Sequence, residues 1–217
     1  MRRGAPVRWL AVVPIKPLTA AKTRLRGAVP DAVHPDLVLA MAQDTVAAAL
    51  AAPAVGQVRV VCDDPAVRAA LSTLGAQCVP DRPGAGLNAA VTFGAAAGRW
   101  TVALTADLPA LRPAELDSAL AAAEQANGRA YVADAEGTGT VLLAGQDPTS
   151  LRPAFGPGSA AGHARSGARR LDLPLPRLRR DVDTRADLAA ALALGVGPRT
   201  AAAVAALTGE GLPAALP

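Results

Sequence analysis

The sequence predicts an α/β fold in which a mostly parallel sheet is flanked by helices. Short runs of Val and Leu alternate along the chain with longer stretches rich in Ala and Leu, as in successive strand–helix units. With 217 residues, of which 51% are hydrophobic, the chain is long enough to bury a sizeable core in one domain. Because aromatic residues make up only 2% of the chain, Leu, Val and Ala must build that core.

Each strand is predicted from a short apolar run bounded by turn-forming residues. The predicted strands cover residues 9–13, 57–62, 77–79, 100–104, 130–133, 140–144 and 178–182. Helices are predicted where apolar residues recur every three or four positions, as Val33, Leu37 and Met41 do in the first helix. The predicted helices cover residues 32–51, 65–74, 87–97, 113–126, 184–194 and 198–207, with a further short helix between 146 and 166.

The composition argues against a secreted disulfide-rich protein, a membrane protein and a nucleic-acid-binding protein. Cys62 and Cys78 are too few for a disulfide framework and lack zinc-ligand spacing, so two reduced thiols in a cytoplasmic protein are expected. The first apolar run is broken by Pro14 and Lys16, so it is too short for a signal peptide or a membrane helix, and neither is expected. The net charge is +4, but few aromatic residues are present to stack on bases. We therefore expect an anionic small molecule as the partner and no nucleic acid.

A basic loop follows the first predicted strand. It carries both lysines of the chain, Lys16 and Lys22, together with Arg24. Compact ammonium groups suit point-charge contacts with phosphate oxygens, so this loop is predicted to hold the phosphates of a nucleotide. The loop does not have the GxxxxGK[ST] pattern of a Walker A motif, and a solvated basic loop is the alternative interpretation.

Acidic residues accompany two other predicted strands. Asp107 comes shortly after the fourth strand, where a divalent cation can bind, although a loop or capping Asp is the alternative. Asp181 and Asp183 are two residues apart on the last predicted strand, which puts both carboxylates on one face, about 7 Å apart by strand rise. Like charges so placed are costly unless a cation or Arg neutralises them. Asp107 with one or both of these carboxylates would form an oxygen site suited to Mg²⁺. Asp183 as the cap of the next helix is the alternative.

Two glycine-containing segments can approach an anion closely. Residues 137–140, Gly-Thr-Gly-Thr, offer N–H groups and hydroxyls, although a hairpin turn has the same composition. Residues 155–159, Phe-Gly-Pro-Gly-Ser, precede a short helix whose first N–H groups and Ser159 can bind a carboxylate or phosphate. Ser159 as a simple N-cap is the alternative. His163 follows one turn later, and with only two histidines in the chain no Ser-His-Asp triad is expected.

Taken together, these segments resemble the phosphoenolpyruvate/2-phospho-L-lactate guanylyltransferase family, which acts in coenzyme F-420 biosynthesis. The matching segments occur in the family's order and are residues 14–16, 21–25, 87–88, 107–109, 137–140, 155–159 and 181–184. The resemblance implies a Rossmann-like nucleotidyltransferase fold. It also implies that the phosphorylated three-carbon acid is bound by Thr140, Gly156 and Ser159. The residues that it implies for metal binding are Asp107, Asp181 and Asp183. The chain departs from the family at Ala106, where members usually have Gly, and a positive φ there would strain the backbone.

The chemistry implied by the resemblance is transfer of GMP from GTP to a phosphorylated acid, with pyrophosphate as the leaving group. Lys16, Lys22 and Arg24 are expected on the triphosphate, and the amide of Asn88 on the nucleoside. The Arg- and Ala-rich composition resembles that of actinobacterial members, which favour phosphoenolpyruvate, while 2-phospho-L-lactate and 3-phosphoglycerate are open alternatives. Two rival interpretations are a nucleotidyltransferase for another phosphorylated acceptor, such as a sugar phosphate or molybdopterin, and a non-catalytic nucleotide-binding protein.

Overall fold

A computed structural model describes residues 8–18, 34–82, 84–96, 98–126, 128–147 and 151–209 of the chain. Its strands are β1 (Trp9–Pro14), β2 (Val55–Val61), β3 (Gln77–Val79), β4 (Thr101–Leu104), β5 (Arg129–Ala133), β6 (Thr140–Gly145) and β7 (Arg169–Arg170). Its helices are α1 (His34–Leu50), α2 (Pro65–Ser72), α3 (Leu87–Ala95), α4 (Pro113–Glu124), α5 (Ser159–Arg165), α6 (Arg185–Leu194) and α7 (Pro198–Gly209).

The strands form one mostly parallel sheet, as the sequence predicts. Its order is β3-β2-β1-β4-β6-β5-β7. Strands β3, β2, β1 and β4 pair in parallel, whereas β6 is antiparallel to both of its neighbours, β4 and β5. The cause is the short connection between β5 and β6, because a six-residue turn can only join antiparallel strands, while parallel strands need a longer crossover.

The predicted strand at residues 178–182 is wrong, and the other predicted elements are confirmed to within two residues at each described end. The last strand is instead the two-residue β7, which pairs in parallel with β5 at the sheet edge. Leu178 and Val182 are buried, which explains the apolar pattern. Their amides, however, donate to the Glu115 carboxylate and to the carbonyl of Asp107, so the segment packs against loops and a helix rather than beside a strand.

The core lies on both faces of the sheet because the central strands are covered by helices on either side. Alternate residues of β1 belong to different clusters, with Ala11 and Val13 on one face and Val12 on the other. Helices α1, α2 and α4 contribute to the first cluster, and α3 and α5 to the second. Strands buried on both faces read as continuous apolar runs, which is why they are recognisable in the sequence. Among the described residues, no helix combines the length and hydrophobicity needed to cross a membrane.

One buried carboxylate of α1 caps the first turn of α7. Asp44 lies in α1 and accepts hydrogen bonds from backbone amides in the first turn of α7. The backbone nitrogen of Arg199 is 3.3 Å from Oδ1, and that of Thr200 is 2.7 Å from Oδ2. The side chain of Asp44 is 2% exposed. Asp44 therefore supplies the N-terminal cap of a helix that begins more than 150 residues later in the chain.

We expect Asp44→Ala to lower the free energy of unfolding by about 2 kcal/mol, because two helix-end amides lose their acceptor in a buried place. Urea unfolding followed by circular dichroism measures the change. Asp44→Asn, which keeps one amide oxygen as acceptor, is the matched control and should lose clearly less. Equal losses for the two variants would show that the hydrogen bonds do not hold α7.

Candidate active site

The strand order reverses between β1 and β4, and the candidate site lies at the carboxyl ends of these two strands. They are neighbours and run in parallel, with Val12 opposite Ala103. Lys16 follows β1 and is exposed, and Asp107 follows β4. Ligands of open α/β sheets bind at such a reversal point, beyond the strands' carboxyl ends. The two predicted site residues thus leave the sheet at the same edge.

Thr140 begins β6 at this same edge because β6 runs antiparallel to β4. Leu142 lies opposite Leu104, and the Thr105 amide donates to the carbonyl of Val141 at 3.0 Å. The start of β6 is therefore beside the loop that carries Asp107. Thr140 is nearly buried, at 6% exposed.

The turn before Thr140 is shaped by a carboxylate that the sequence analysis missed. Asp134 Oδ1 accepts from the Thr138 amide at 2.8 Å and Oδ2 from the Gly139 amide at 2.6 Å. A Cβ on Gly139 would collide with Asp134 Oδ2, so a larger residue there would displace this carboxylate. The amides of Thr138 and Gly139, which the sequence suggested for an anion, are thus used by the hairpin turn.

The segment with Gly156 and Ser159 is brought to this turn by α5. The amide of Ala160 donates to the carbonyl of Thr138 at 3.1 Å, and Ser159 is buried. Gly156 has a φ of +139°, in the region that residues with a Cβ avoid. Thr140, Gly156 and Ser159, all predicted to bind the acid, therefore lie on adjoining segments.

Asn88, at the start of α3, is tied to the same segment. Its Oδ1 accepts from the Phe155 amide at 2.8 Å, and its Nδ2 donates to the Phe155 carbonyl at 3.1 Å. Both ends of the side-chain amide thereby hold the backbone next to Gly156, a role that the sequence analysis did not foresee. That Asn88 also contacts a nucleoside stays a prediction.

The two segments that carry the predicted acidic residues are adjacent at this edge, although residues 181–183 do not form a strand. The amide of Val182 donates to the carbonyl of Asp107 at 3.1 Å, which places residues 181–183 beside the β4 loop. Because this segment is not a strand, the predicted spacing of about 7 Å on one face does not apply to Asp181 and Asp183. The cap of α6 is Thr184, which forms a capping box with Asp187, so Asp183 does not have the alternative role considered for it.

A second arrangement of carboxylates is present that the sequence did not indicate. Oxygens of Asp134, Glu136 and Asp181 lie within 4.8 Å of one another, and neither Asp107 nor Asp183 belongs to this group as the described residues place them. Glu136 pairs with Arg180 at 2.8 Å, and both oxygens of Asp134 accept amides. Carboxylate oxygens are ligands that hard divalent cations prefer, so this acidic edge can hold a metal ion. The position of Asp134 directly after β5 was the available signal.

Of the predicted phosphate-binding residues, Lys22 and Arg24 lie outside the described residues, and Lys16 alone can be placed. The departure from the family at Ala106 causes no backbone strain. Within the described residues, Arg152 is the one residue other than Gly with a positive φ. The loop between β4 and Asp107 therefore accepts Ala without difficulty.

His163 is fully buried in α5 and joins two parts of the site. Its Nδ1 is 2.9 Å from Thr140 Oγ1, and its Nε2 accepts from the amide of Ala154 at 2.9 Å. The ring also packs edge-on against Phe155, with centroids 5.3 Å apart. Burial, and to a smaller extent the charge of Arg129, lowers the pKa of His163 to about 4, so the imidazole is neutral at pH 7.

This pKa makes the folded state less stable in acid. Unfolded histidine, with a pKa of about 6.5, binds a proton that folded His163 does not, so stability falls as the pH drops from 6.5 towards 4. Between pH 7 and pH 5, the free energy of unfolding should fall by about 2 kcal/mol less in His163→Asn than in the unaltered protein. Urea unfolding at both pH values measures this. Identical losses would contradict the lowered pKa, because all other groups are common to the two proteins.

Comparison with known proteins agrees with this geometry. Residues 39–178 match the family model of the MobA-like NTP transferase domain. A solved nucleotidyl transferase from Methanothermobacter has a TM-score of 0.61 at 21% identity, covering 83% of this chain and 94% of its own. A proposed nucleotide-diphospho-sugar transferase from Desulfovibrio desulfuricans G20 has a TM-score of 0.63 at 16% identity, covering 84% and 85%. These two structures show the nucleotidyltransferase fold.

Much closer relatives are found among curated sequences. A phosphoenolpyruvate guanylyltransferase of Salinispora arenicola is 59% identical over 196 residues, which cover 89% of this chain and 92% of the relative. One of Streptomyces scabiei is 57% identical over 212 residues, covering 93% and 98%. Identity at this level over nearly the whole length of both chains shows common family membership, and the chain is a nucleotidyltransferase that belongs to the phosphoenolpyruvate guanylyltransferase family.

Proposed function

We propose that this enzyme transfers GMP from GTP to the phosphate of phosphoenolpyruvate, forming enolpyruvoyl-diphospho-guanosine and releasing pyrophosphate. The observation that carries the proposal is the convergence of Lys16, Asp107, Thr140 and the two segments 155–159 and 181–183 at one edge of the sheet. Cationic, acidic and hydroxyl groups in one crevice suit the meeting of two phosphorylated molecules. The names of the relatives supply the acceptor.

The acceptor phosphate needs no general base. A phosphate monoester has a second pKa of about 6, so at pH 7 it is already largely dianionic and can attack the α-phosphorus of GTP directly. The attacking oxygen forms the new P–O bond as the bond to the pyrophosphate oxygen breaks. His163, which joins two of these segments, is buried and hydrogen-bonded at both nitrogens, which suits a structural role rather than proton transfer.

What the reaction requires is alignment of two anions that repel each other. We assign Lys16, with Lys22 and Arg24, to the triphosphate of GTP, and Asn88 to the nucleoside. We assign Mg²⁺ to Asp107, Asp181 and Asp183, whose segments are joined by the hydrogen bond from Val182 to Asp107. Of these three, Asp181 is the one that also belongs to the close carboxylate group with Asp134 and Glu136 in the described residues. When bound, this ion neutralises phosphate charge and orients the phosphate oxygens.

The three-carbon acid is assigned to the other side of the crevice. The Thr140 and Ser159 hydroxyls and the Gly156 backbone can donate hydrogen bonds to its phosphate or carboxylate oxygens. They lie on two adjoining segments held together by the Ala160 to Thr138 hydrogen bond. Together with the family resemblance, this placement supports a role in coenzyme F-420 biosynthesis. The free thiols of Cys62 and Cys78 suit an enzyme of the cytoplasm.

The proposed reaction is tested by identifying the product. The purified enzyme is incubated with GTP, Mg²⁺ and, in separate reactions, phosphoenolpyruvate, 2-phospho-L-lactate, 3-phosphoglycerate or a sugar phosphate. We expect mass spectrometry to find the guanylylated product and pyrophosphate chiefly with phosphoenolpyruvate. A dominant product from another acceptor would correct the substrate, and GTP binding without turnover of any acceptor would favour a non-catalytic protein.

The metal assignment is tested by Asp107→Asn. Loss of one anionic oxygen ligand should lower kcat for pyrophosphate release at least about 100-fold, because the phosphate charge is then less well neutralised. Circular dichroism should show an unchanged fold. Asp36→Asn, which removes an exposed carboxylate in the first turn of α1, is the matched control and should keep its activity. Near-normal turnover of Asp107→Asn would refute the role given to Asp107.

A further inference from the structure

We propose that His163 is a positioning residue for the phosphorylated acid, because its Nδ1–H fixes Thr140 Oγ1 as an acceptor and leaves the hydroxyl hydrogen for the substrate. The same ring ties the segment that carries Gly156 to Thr140. This inference rests on the proposed function, since it assumes that Thr140 binds the acid. It adds a residue that neither contacts the substrate nor takes part in the bond changes.

The protonation state of the ring follows from its two neighbours. The Ala154 amide is a donor and cannot be anything else, so Nε2, at 2.9 Å, must carry a lone pair. A neutral imidazole has one N–H hydrogen, which must then be on Nδ1. Nδ1 is therefore the donor to Thr140 Oγ1, which is also 2.9 Å away. The reverse tautomer would set two N–H groups against each other in a buried place.

The direction of this hydrogen bond matters for binding an anion. A threonine hydroxyl has one hydrogen and two lone pairs. If Thr140 gave its hydrogen to His163, it would face the acid with lone pairs alone, and an anion would be repelled. Because Thr140 instead accepts from His163, its hydrogen remains for a phosphate or carboxylate oxygen. A hydrogen bond to a charged acceptor is stronger than one between neutral groups.

The ring also fixes the distance between the two acid-binding segments. His163 lies in α5 and reaches Thr140 on β6 with one nitrogen and Ala154 with the other. Ala154 is two residues before Gly156, and Phe155 between them is held by Asn88. The donors on both segments are thus set before the substrate arrives, which reduces the ordering that binding requires.

Two substitutions separate the two contacts of the ring. His163→Asn places an amide near the Nδ1 position and can still donate to Thr140, whereas His163→Gln reaches the Nε2 position and can only replace the acceptor for Ala154. We expect His163→Gln to raise KM for phosphoenolpyruvate at least about 5-fold, the effect of losing the one neutral hydrogen bond that orients the Thr140 hydroxyl. His163→Asn should raise it less. KM for GTP should stay within twofold in both, which general damage to the fold would not produce.

Coupling to Thr140 is tested in a double variant. If His163 acts through the Thr140 hydroxyl, His163→Gln should have less than a twofold further effect on KM for phosphoenolpyruvate in a Thr140→Val background. An undiminished effect there, or a KM for phosphoenolpyruvate that does not change in His163→Gln, would overturn the inference. A wild-type enzyme that does not use phosphoenolpyruvate would instead refute the proposed function.

A third measurement does not depend on activity or on the folding of a variant. Nitrogen-15 NMR of the unaltered protein at pH 7 should show one histidine with a protonated Nδ1 and an unprotonated Nε2, and this pattern should persist to pH 5. The chain has only two histidines, and the spectrum of His34→Gln identifies the signals of His163 by elimination. A protonated Nε2 would overturn the inference on its own, and a protonated Nδ1 with bare Nε2 supports it.

Discussion

The parallel pairing of β1 with β4 is the constraint on which the rest of the molecule depends. Leu10, Ala11 and Val12 face Thr101, Val102 and Ala103, while β2 and β3 extend the sheet from the other side of β1. The chain continues from β1 to β2 on one side of this pair and from β4 towards β5 and β6 on the other side. Ligands of open α/β sheets bind at such a reversal point, so the topology alone places the candidate site at the carboxyl ends of β1 and β4.

The polar groups at this edge are largely used to hold one another. Asp134 accepts hydrogen bonds from the amides of the Gly-Thr turn, and Asn88 accepts one from the Phe155 amide. His163 is hydrogen-bonded to both Thr140 and Ala154. Each contact satisfies buried donors and acceptors that would otherwise cost stability. Each also fixes a segment that carries a group assigned to the substrate. Stability and function therefore draw on the same hydrogen bonds, and substitutions that disturb one are expected to disturb the other.

The sequence predicted the strands, the helices and the common edge because these follow from local patterns. A buried parallel strand is a continuous apolar run, and polar residues that follow such strands, such as Lys16 and Asp107, must meet at one edge. It did not predict partners that are distant along the chain, such as Asn88 with Phe155 or Glu136 with Asp181, since no local period encodes them. The strand expected at residues 178–182 failed for the same reason. Burial of Leu178 and Val182 has the pattern of a strand, but only tertiary contacts decide where their amides bind.

The contacts of β1 and α7 bear on how the protein can be divided experimentally. The segment that matches the MobA-like family, residues 39–178, omits both elements. A protein reduced to that segment would lack β1, the central strand of the sheet, and with it Lys16. The backbone hydrogen-bonding edges of β2 and β4 that pair with β1 would then be exposed. The carboxylate of Asp44 would also lack the amides that it caps. Trimmed versions intended for crystallisation or display should therefore retain everything from Arg8 to Leu207, because the region that matches the family model lacks β1 and α7.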